Sequence, residues 1–580
     1  MDNVQPENQG WRSRLYSQVP LKSKNGTVRL LTIEPRSRVR SNAAEDQNIT
    51  QCFLKLGNLK TQQSAFVAIS HACEKGGDEE IMVNGALVPV STDIAELLRS
   101  LQHEHDPVTI WMDALCINYS DVEEKSAQLA QMPQILSAAS STLVWLGGTA
   151  DGSHGAMDAL NRLDEEHLTP AAQKLLLAAL RKTPWITKLP TTVTQPSQPA
   201  KEESLEDQLD ALRTSFKALM SRPYWSRLWS LTELVFTNKG TVMCGTRSLD
   251  LHRFHAAAKA LDGVLNMATY SKWLEANKTT NTSANLDNTE PANFSASPAL
   301  LLLAEREFFV GSRGWWSSTE HPLLTILMRY HLNRAETRLH LNPDEQCDLI
   351  FGFVGLSSDA EKLGISIDYR KDWAQVCAET TTSLLQHNPR VLQLCLGHSK
   401  ADDGRSSWLV DWSKIALPAS YDSGRSFNAC GPADVRFYRA DAQDAQIITM
   451  KGVILDIINS VTSVSNDGEN ITEDIKKAID EKFQQSLSME KSPYTQDQQP
   501  NVPTSMLKES CFVTDNGYIG CGEGPTKGDV VAILYGSEVP FALRKQADET
   551  YRLIGEVYIE GIMEGEFMKS HRAESIIKIC

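Results

Sequence analysis

Between residues 65 and 147 three short apolar runs alternate with two helical segments, and this limits the fold more than any other feature of the chain. AFVAIS (65–70), TIWMDAL (109–115) and STLVWLG (141–147) are continuous apolar runs of strand length. STDIAELLRSLQ (91–102) has helical spacing, with Ser91 or Thr92 as N-cap. Ser120 and Glu123 form an S-x-x-E capping box that opens a helix through SAQLAQMPQILSAAS, where Pro133 predicts a kink or interruption. Strands without polar alternation are those buried on both faces. Strand–helix–strand–helix–strand is therefore the pattern of a parallel sheet covered by helices. TVMCG (241–245) adds a further candidate strand.

The rest of the chain divides by composition. Residues 1–60 read as an N-terminal extension, 61–250 as the α/β domain, and 251–300 as a polar insertion or linker containing NKTTNTSANLDNTEPANFSASP (277–298). Residues 301–459 read as mostly helical and 460–508 as a second polar, acidic insertion. Residues 509–580 switch to short β-runs punctuated by glycine, such as GYIGCGEG and DVVAILYG, and read as a β-rich C-terminal subdomain. Inside the α/β domain, residues 186–206 with TTVTQPSQPAKEES read as a loop or linker.

Charge and cysteine usage exclude several classes. The 580 residues carry 57 basic and 73 acidic groups, a net charge of −16, which argues against a basic footprint for nucleic acid or anionic membrane. The N-terminus lacks the apolar core of a signal peptide, and ALLLLA (299–304) is far shorter than the ~20 residues of a membrane span. Eleven scattered cysteines without C-x-x-C read as reduced thiols. These features predict a cytoplasmic protein without a membrane span. His103-Glu104-His105-Asp106 reads as a solvated terminus, so no metal is expected, and no G-x-S-x-G elbow is present. The glycines of 517–524 lack a following helix and read as tight turns, not as a phosphate cradle. Cys73 would need a positioned base to act as a nucleophile, and Cys116 reads as a buried structural thiol.

Polar residues fall where an open α/β sheet places ligands, beyond the C-terminal ends of its strands. Ser70 and His71 end the first strand, Asp113 lies at the end of the second, and Asn118 sits in the loop that follows. In RPYWSRLWSLTELVF (222–236), one continuous helix would place Trp225, Trp229 and Glu233 on a single stripe. Arg227, six residues before Glu233, would not share that face. Glu233 is thus either a solvated edge carboxylate or a held, functional acid.

The order of these motifs resembles the fungal heterokaryon-incompatibility (HET) domain. The resemblance rests on FVAISH, IWMDALCINYSDVEEKSAQLAQM, ILSAASSTLVWLG and RPYWSRLWSLTELVF with CG at 244–245. DEQCDLIFGFVGL, IDYRKDW, WLVDWS and the glycine-punctuated C-terminus resemble the second half of full-length HET proteins. HET domains are distantly related to TIR domains, some of which cleave NAD, and SRLWSLTEL resembles the TIR helix pattern S-x-W-C-x-x-E-L. The implied fold is a TIR-like parallel-sheet N-terminal domain, a mostly helical middle and a β-rich C-terminal subdomain. The implied site places Glu233 as the catalytic carboxylate, with Ser70, His71, Asp113, Asn118 and Trp229 around the ligand. NAD is then a substrate and no cofactor is required. The implied role is cell-death signalling in non-self recognition through protein partners or self-association. The chain departs from the family where S-Y-x-W-G becomes Ser70-His71-Ala72-Cys73-Glu74, where C-I-N-Q ends in Tyr119, where Thr232 replaces glutamine, and where E-R becomes Glu124-Lys125. Asp113, Asn118, Asp121, Gln128 and Glu233 are kept. Two alternatives stay open: the scaffold recruited as an enzyme of specialised metabolism, or a catalytically silent interaction protein.

Overall fold

The computed structural model describes residues 10–21, 26–38, 49–61, 65–72, 77–163, 205–278, 297–311, 321–331, 340–395, 406–415, 418, 420, 427–432, 437–439, 447–464, 471–503, 510–547, 549–569 and 573–580. Cys73, nearly all of the 186–206 linker and most of 277–298 lie outside these residues. The chain divides into two compact units. One comprises Met1–His321, Arg334–Ser358 and Ser366–Arg370; the other comprises Pro322–Asn333, Asp359–Ile365 and Lys371–Cys580.

The first unit is built on a nine-stranded sheet. Its strands are β1 (Thr27–Ile33), β2 (Gln51–Asn58), β3 (Val67–His71), β4 (Glu79–Val83), β5 (Ala86–Val90), β6 (Val108–Met112), β7 (Ser141–Trp145), β8 (Gly240–Cys244) and β9 (Arg247–Asp250). They run in the order β5-β4-β2-β1-β6-β3-β7-β8-β9. The expected parallel core is present. Ile69 of β3 aligns with Met112 of β6 and with Leu143 of β7, and β7 runs parallel to β8. Ala68, Ile110, Trp111, Val144 and Trp145 are buried, as strands covered on both faces require.

Several sequence readings are corrected. Residues 1–60 are more than an extension, because β1 pairs antiparallel with β6 and carries β2 into the same sheet. β6 stops at Met112, and Asp113–Cys116 form one helical turn. Ser91 caps its helix as expected, whereas the next helix, Val122–Ala130, is capped by Asp121 and not by Ser120. The Asp121 carboxylate accepts from the Glu123 and Glu124 amides, which a serine one residue earlier cannot reach in phase. Pro133 does interrupt: a new helix, Met132–Ala138, carries it in its first turn. Residues 251–278, read as the start of a polar insertion, form a helix. Among the described residues no helix is long and apolar enough to cross a membrane.

The helix Asp348–Val354 packs against the helix Leu228–Phe236, which carries Glu233. Thr232 donates its hydroxyl to the Gly352 carbonyl at 2.6 Å, and a Cβ on Gly352 would run into the buried Leu228 side chain. Gly352→Val is therefore expected to destabilise the unit by about 1–3 kcal/mol through overpacking, read as a lower urea midpoint at unchanged slope.

The second unit carries helices Leu323–His331 and Trp373–Leu385 and an eight-stranded sheet. Its strands are β10 (Phe437–Arg439), β11 (Ile448–Ser463), β12 (Ser510–Thr514), β13 (Ile519–Gly522), β14 (Val530–Leu534), β15 (Phe541–Lys545), β16 (Tyr551–Ile559) and β17 (Ser575–Ile579). The path β11-β12-β13-β16-β15-β14 closes on itself, because β14 pairs back to residues 452–457 of β11 while β12 takes residues 458–463. One long strand serves both ends of the circuit through register shifts near Ile454 and Ile458, as expected where a bulge turns a barrel corner. The β-region thus begins well before residue 509. Residues 460–508 hold the end of β11 and the helix Ile471–Leu487, where the sequence reads as a polar insertion.

Candidate functional site: a buried carboxylate clasp

Beyond the ends of the parallel strands lies a cluster of charge. Eight of the nine residues of helix Leu228–Phe236 are buried, Glu233 among them at 4% exposure. Glu233 is therefore no edge residue. Nor do Trp225 and Glu233 share one helix: Trp225 belongs to a separate 3-10 turn, Pro223–Ser226, and stacks on Phe254 at 5.7 Å. The chain extends through Arg227 (φ −77°, ψ 131°) before the helix begins, which breaks the assumed phase.

That break places Arg227 where helical spacing alone would not. Its Nη1 donates to Glu233 Oε1 at 2.9 Å and to the His71 carbonyl at 2.9 Å. Nη2 stands 3.6 Å from Asp113 Oδ2, and Nε donates to Asp344 Oδ2 at 3.0 Å. Asp344 comes from a segment whose Asn342 forms a backbone bridge with Arg227, through Leu228 N to Asn342 O at 2.9 Å and Asn342 N to Ser226 O at 2.6 Å. The second Glu233 oxygen is held by the Ser70 hydroxyl, which also bonds Tyr224 at 2.7 Å. Asp113 accepts from the Tyr119 hydroxyl at 3.0 Å and from the Ala114 amide at 2.9 Å, and lies 3.5 Å from His71 Nδ1. His71 is 1% exposed, and among the described residues neither ring nitrogen has a hydrogen-bond partner.

Of the residues the sequence singles out, Ser70, His71, Asp113 and Glu233 are brought together. Asn118 and Trp229 are not placed on this cluster. Asn118 closes its own loop, its side chain accepting from the Ser120 amide at 3.2 Å and its amide donating to Glu124 Oε1 at 2.6 Å. Trp229 donates to Asp348, a buried carboxylate that also takes the Tyr369 hydroxyl. Arg227, Tyr224, Tyr119 and Asp344 are the additions. A signal for Arg227 exists in the sequence, since Pro223 favours a turn of its own and frees the residues before Leu228 from the helix phase.

The two carboxylates titrate apart. Burial pushes the Glu233 pKa above its ordinary value, with Arg227 opposing and Asp113 adding to the rise. Burial acts on Asp113 in the same sense, but His71, Arg227, the Tyr119 hydroxyl and the Ala114 amide outweigh it and hold Asp113 below its ordinary 3.8. One cation thus faces three carboxylates. Such a site favours incoming or developing positive charge.

The Asp113 depression has a sign that can be tested. Above pH 3.8 the carboxylate is ionised folded and unfolded, and its stabilisation is fully present; as pH falls, the unfolded chain takes up the proton first. The stability advantage of the wild type over Asp113→Asn is expected to be constant near neutrality and to shrink below pH 3.8, measured by urea unfolding at each pH.

With this geometry in place, the comparisons define the class. Residues 65–233 match the heterokaryon incompatibility protein (HET) family, and residues 446–578 match the Het-6 beta-barrel domain; the two matches together support a heterokaryon incompatibility protein. The barrel match spans β11 to β17 and so contains the whole closed circuit. Along almost its full length the chain is similar to heterokaryon incompatibility protein 6, OR allele, of Neurospora crassa. The identity is 22%, over 96% of this chain and 97% of the relative. No solved structure matches.

Proposed function

We propose that this protein acts in fungal non-self recognition as a cell-death effector, through protein partners or self-association, and that its HET domain is a TIR-like NAD glycohydrolase. The observation that carries the reading is the buried Glu233 carboxylate, gripped by Ser70 and Arg227 at the C-terminal edge of the parallel strands, with Asp113 and Asp344 on the same guanidinium. In the reaction, the bond between the ribose C1′ and nicotinamide breaks, and its electron pair goes to the pyridine nitrogen, which leaves neutral. Positive charge develops on the ribose. Glu233 stabilises that charge or orients the ribose hydroxyls, and water adds at C1′ to give ADP-ribose and a proton. Arg227 holds Glu233 in the resting state and has to yield one of its three carboxylate contacts when substrate enters.

A second reading has its own support. Every carboxylate in the cluster is paired with Arg227, as expected if the clasp only fixes the sheet edge and the protein is a silent interaction scaffold. Overexpression in a fungal host separates the two. Growth arrest by the wild type that disappears with Glu233→Gln at equal protein level supports the catalytic effector; arrest that persists in the variant favours action through interaction alone, and healthy growth at high wild-type expression counts against a death effector.

A further inference from the structure

The barrel carries chemistry of its own. In the antiparallel pair β12–β13, Cys511 lies directly opposite Cys521. The Cys521 thiol donates to Cys511 Sγ at 3.7 Å, and both are free thiols about 1% exposed. Helix Ile471–Leu487 covers them with Ile475, Ala478 and Ile479. Directly opposed residues in such a ladder hold their Cβ atoms roughly 4.5–5.5 Å apart, and a disulfide needs roughly 3.5–4.5 Å, so closure takes a local shift of about 1 Å. Gly520 and Gly522 flank Cys521, so no neighbouring side chain on β13 has to move with it. They also let β13 run close to β16: a Cβ on Gly520 would stand 2.5 Å from Tyr558 O, and one on Gly522 2.7 Å from Val557 Cγ1. Further along the covering helix Lys482, 7% exposed, donates to Ser460 at 2.9 Å and to Gln485 at 3.2 Å, and its charge acts on Cys511.

We propose that Cys511 and Cys521 form a dithiol–disulfide site, closed by a peroxide-class oxidant and reopened by small thiols, that ties β12 to β13 inside the barrel. Cys511 is the attacking sulfur. The hydrogen bond from Cys521 and the Lys482 charge favour its thiolate, whereas Cys521 is held as the thiol. The Cys511 thiolate attacks one oxygen of hydrogen peroxide; the O–O bond breaks, a sulfenic acid forms, and the departing hydroxide takes up the proton that Cys511 released and leaves as one water. Cys521 then attacks that sulfur, the S–O bond breaks, and the hydroxide departs with the Cys521 proton as a second water. Two thiols are oxidised and one peroxide is reduced to two waters.

The test uses the full chain, treated with hydrogen peroxide under native conditions, alkylated, digested and read by mass spectrometry. A peptide pair linked through Cys511 and Cys521, lost on reduction with dithiothreitol, is expected. The oxidised barrel should also unfold roughly 5 °C or more above the reduced one, a shift absent in Cys521→Ser. Both thiols remaining alkylatable after denaturation, or each oxidised separately to a sulfinic acid, overturns the proposal. Because the linkage is read on the wild type, a poorly folding serine variant leaves the test intact.

Discussion

Replacing Arg227 with methionine is expected to destabilise the HET-bearing unit by about 3–5 kcal/mol, because it strands Glu233 and Asp113 in the interior without their shared cation. Arg227→Lys should recover only a minor part. Three different guanidinium nitrogens serve Glu233 and the His71 carbonyl, Asp113, and Asp344, and a single ammonium cannot span that fork. The pH dependence identifies the cause. In the methionine variant both carboxyls lose the group that favours ionisation, so the deficit should shrink as pH falls and they protonate. Urea unfolding at pH 7 and pH 5, followed by tryptophan fluorescence, checks both points. A deficit that ignores pH points to lost packing alone.

On the proposed glycohydrolase reading, Glu233→Gln is expected to reduce NAD turnover by roughly 10²–10³-fold or more, the loss associated with removing one preorganised electrostatic group from a water-poor site. The substitution keeps shape and a hydrogen-bonding oxygen for Ser70, and Arg227 retains Asp113 and Asp344. It is not free of cost, however. Glu233 is buried, unlike the solvated edge carboxylate considered from sequence, so about 1–3 kcal/mol of stability goes with it. Turnover and urea midpoint measured on one preparation separate the two effects: a catalytic role predicts a large fall in turnover with the variant still folded, while a structural role predicts a midpoint change without the turnover loss.

The parallel core was readable in the sequence because its strands are apolar without alternation, which only burial on both faces explains. The ends of those strands placed Ser70, His71 and Asp113 together for the same reason, since adjacent parallel strands finish at one edge. Arg227 is hidden by a helical wheel drawn from Trp225, which assumes a helix that starts only at Leu228; the turn that Pro223 favours is the one local sign of the break. Asp344 lies 117 residues from Arg227 and no local period links them. β1 and β2 were passed over because the N-terminal stretch is polar overall, yet their sheet pairing depends on β6, far along the chain. The barrel circuit hinges on one strand changing partners near Ile458, a tertiary event with no signature in hydrophobic spacing.

The most direct measurement of the central claim is incubation of purified full-length wild-type protein with NAD, at a series of protein concentrations so that monomer and assemblies are both sampled, with chromatography for nicotinamide and ADP-ribose. The account predicts both products in equal amounts and their disappearance with Glu233→Gln. Intact NAD at every protein concentration, from wild-type protein that unfolds cooperatively, would contradict it.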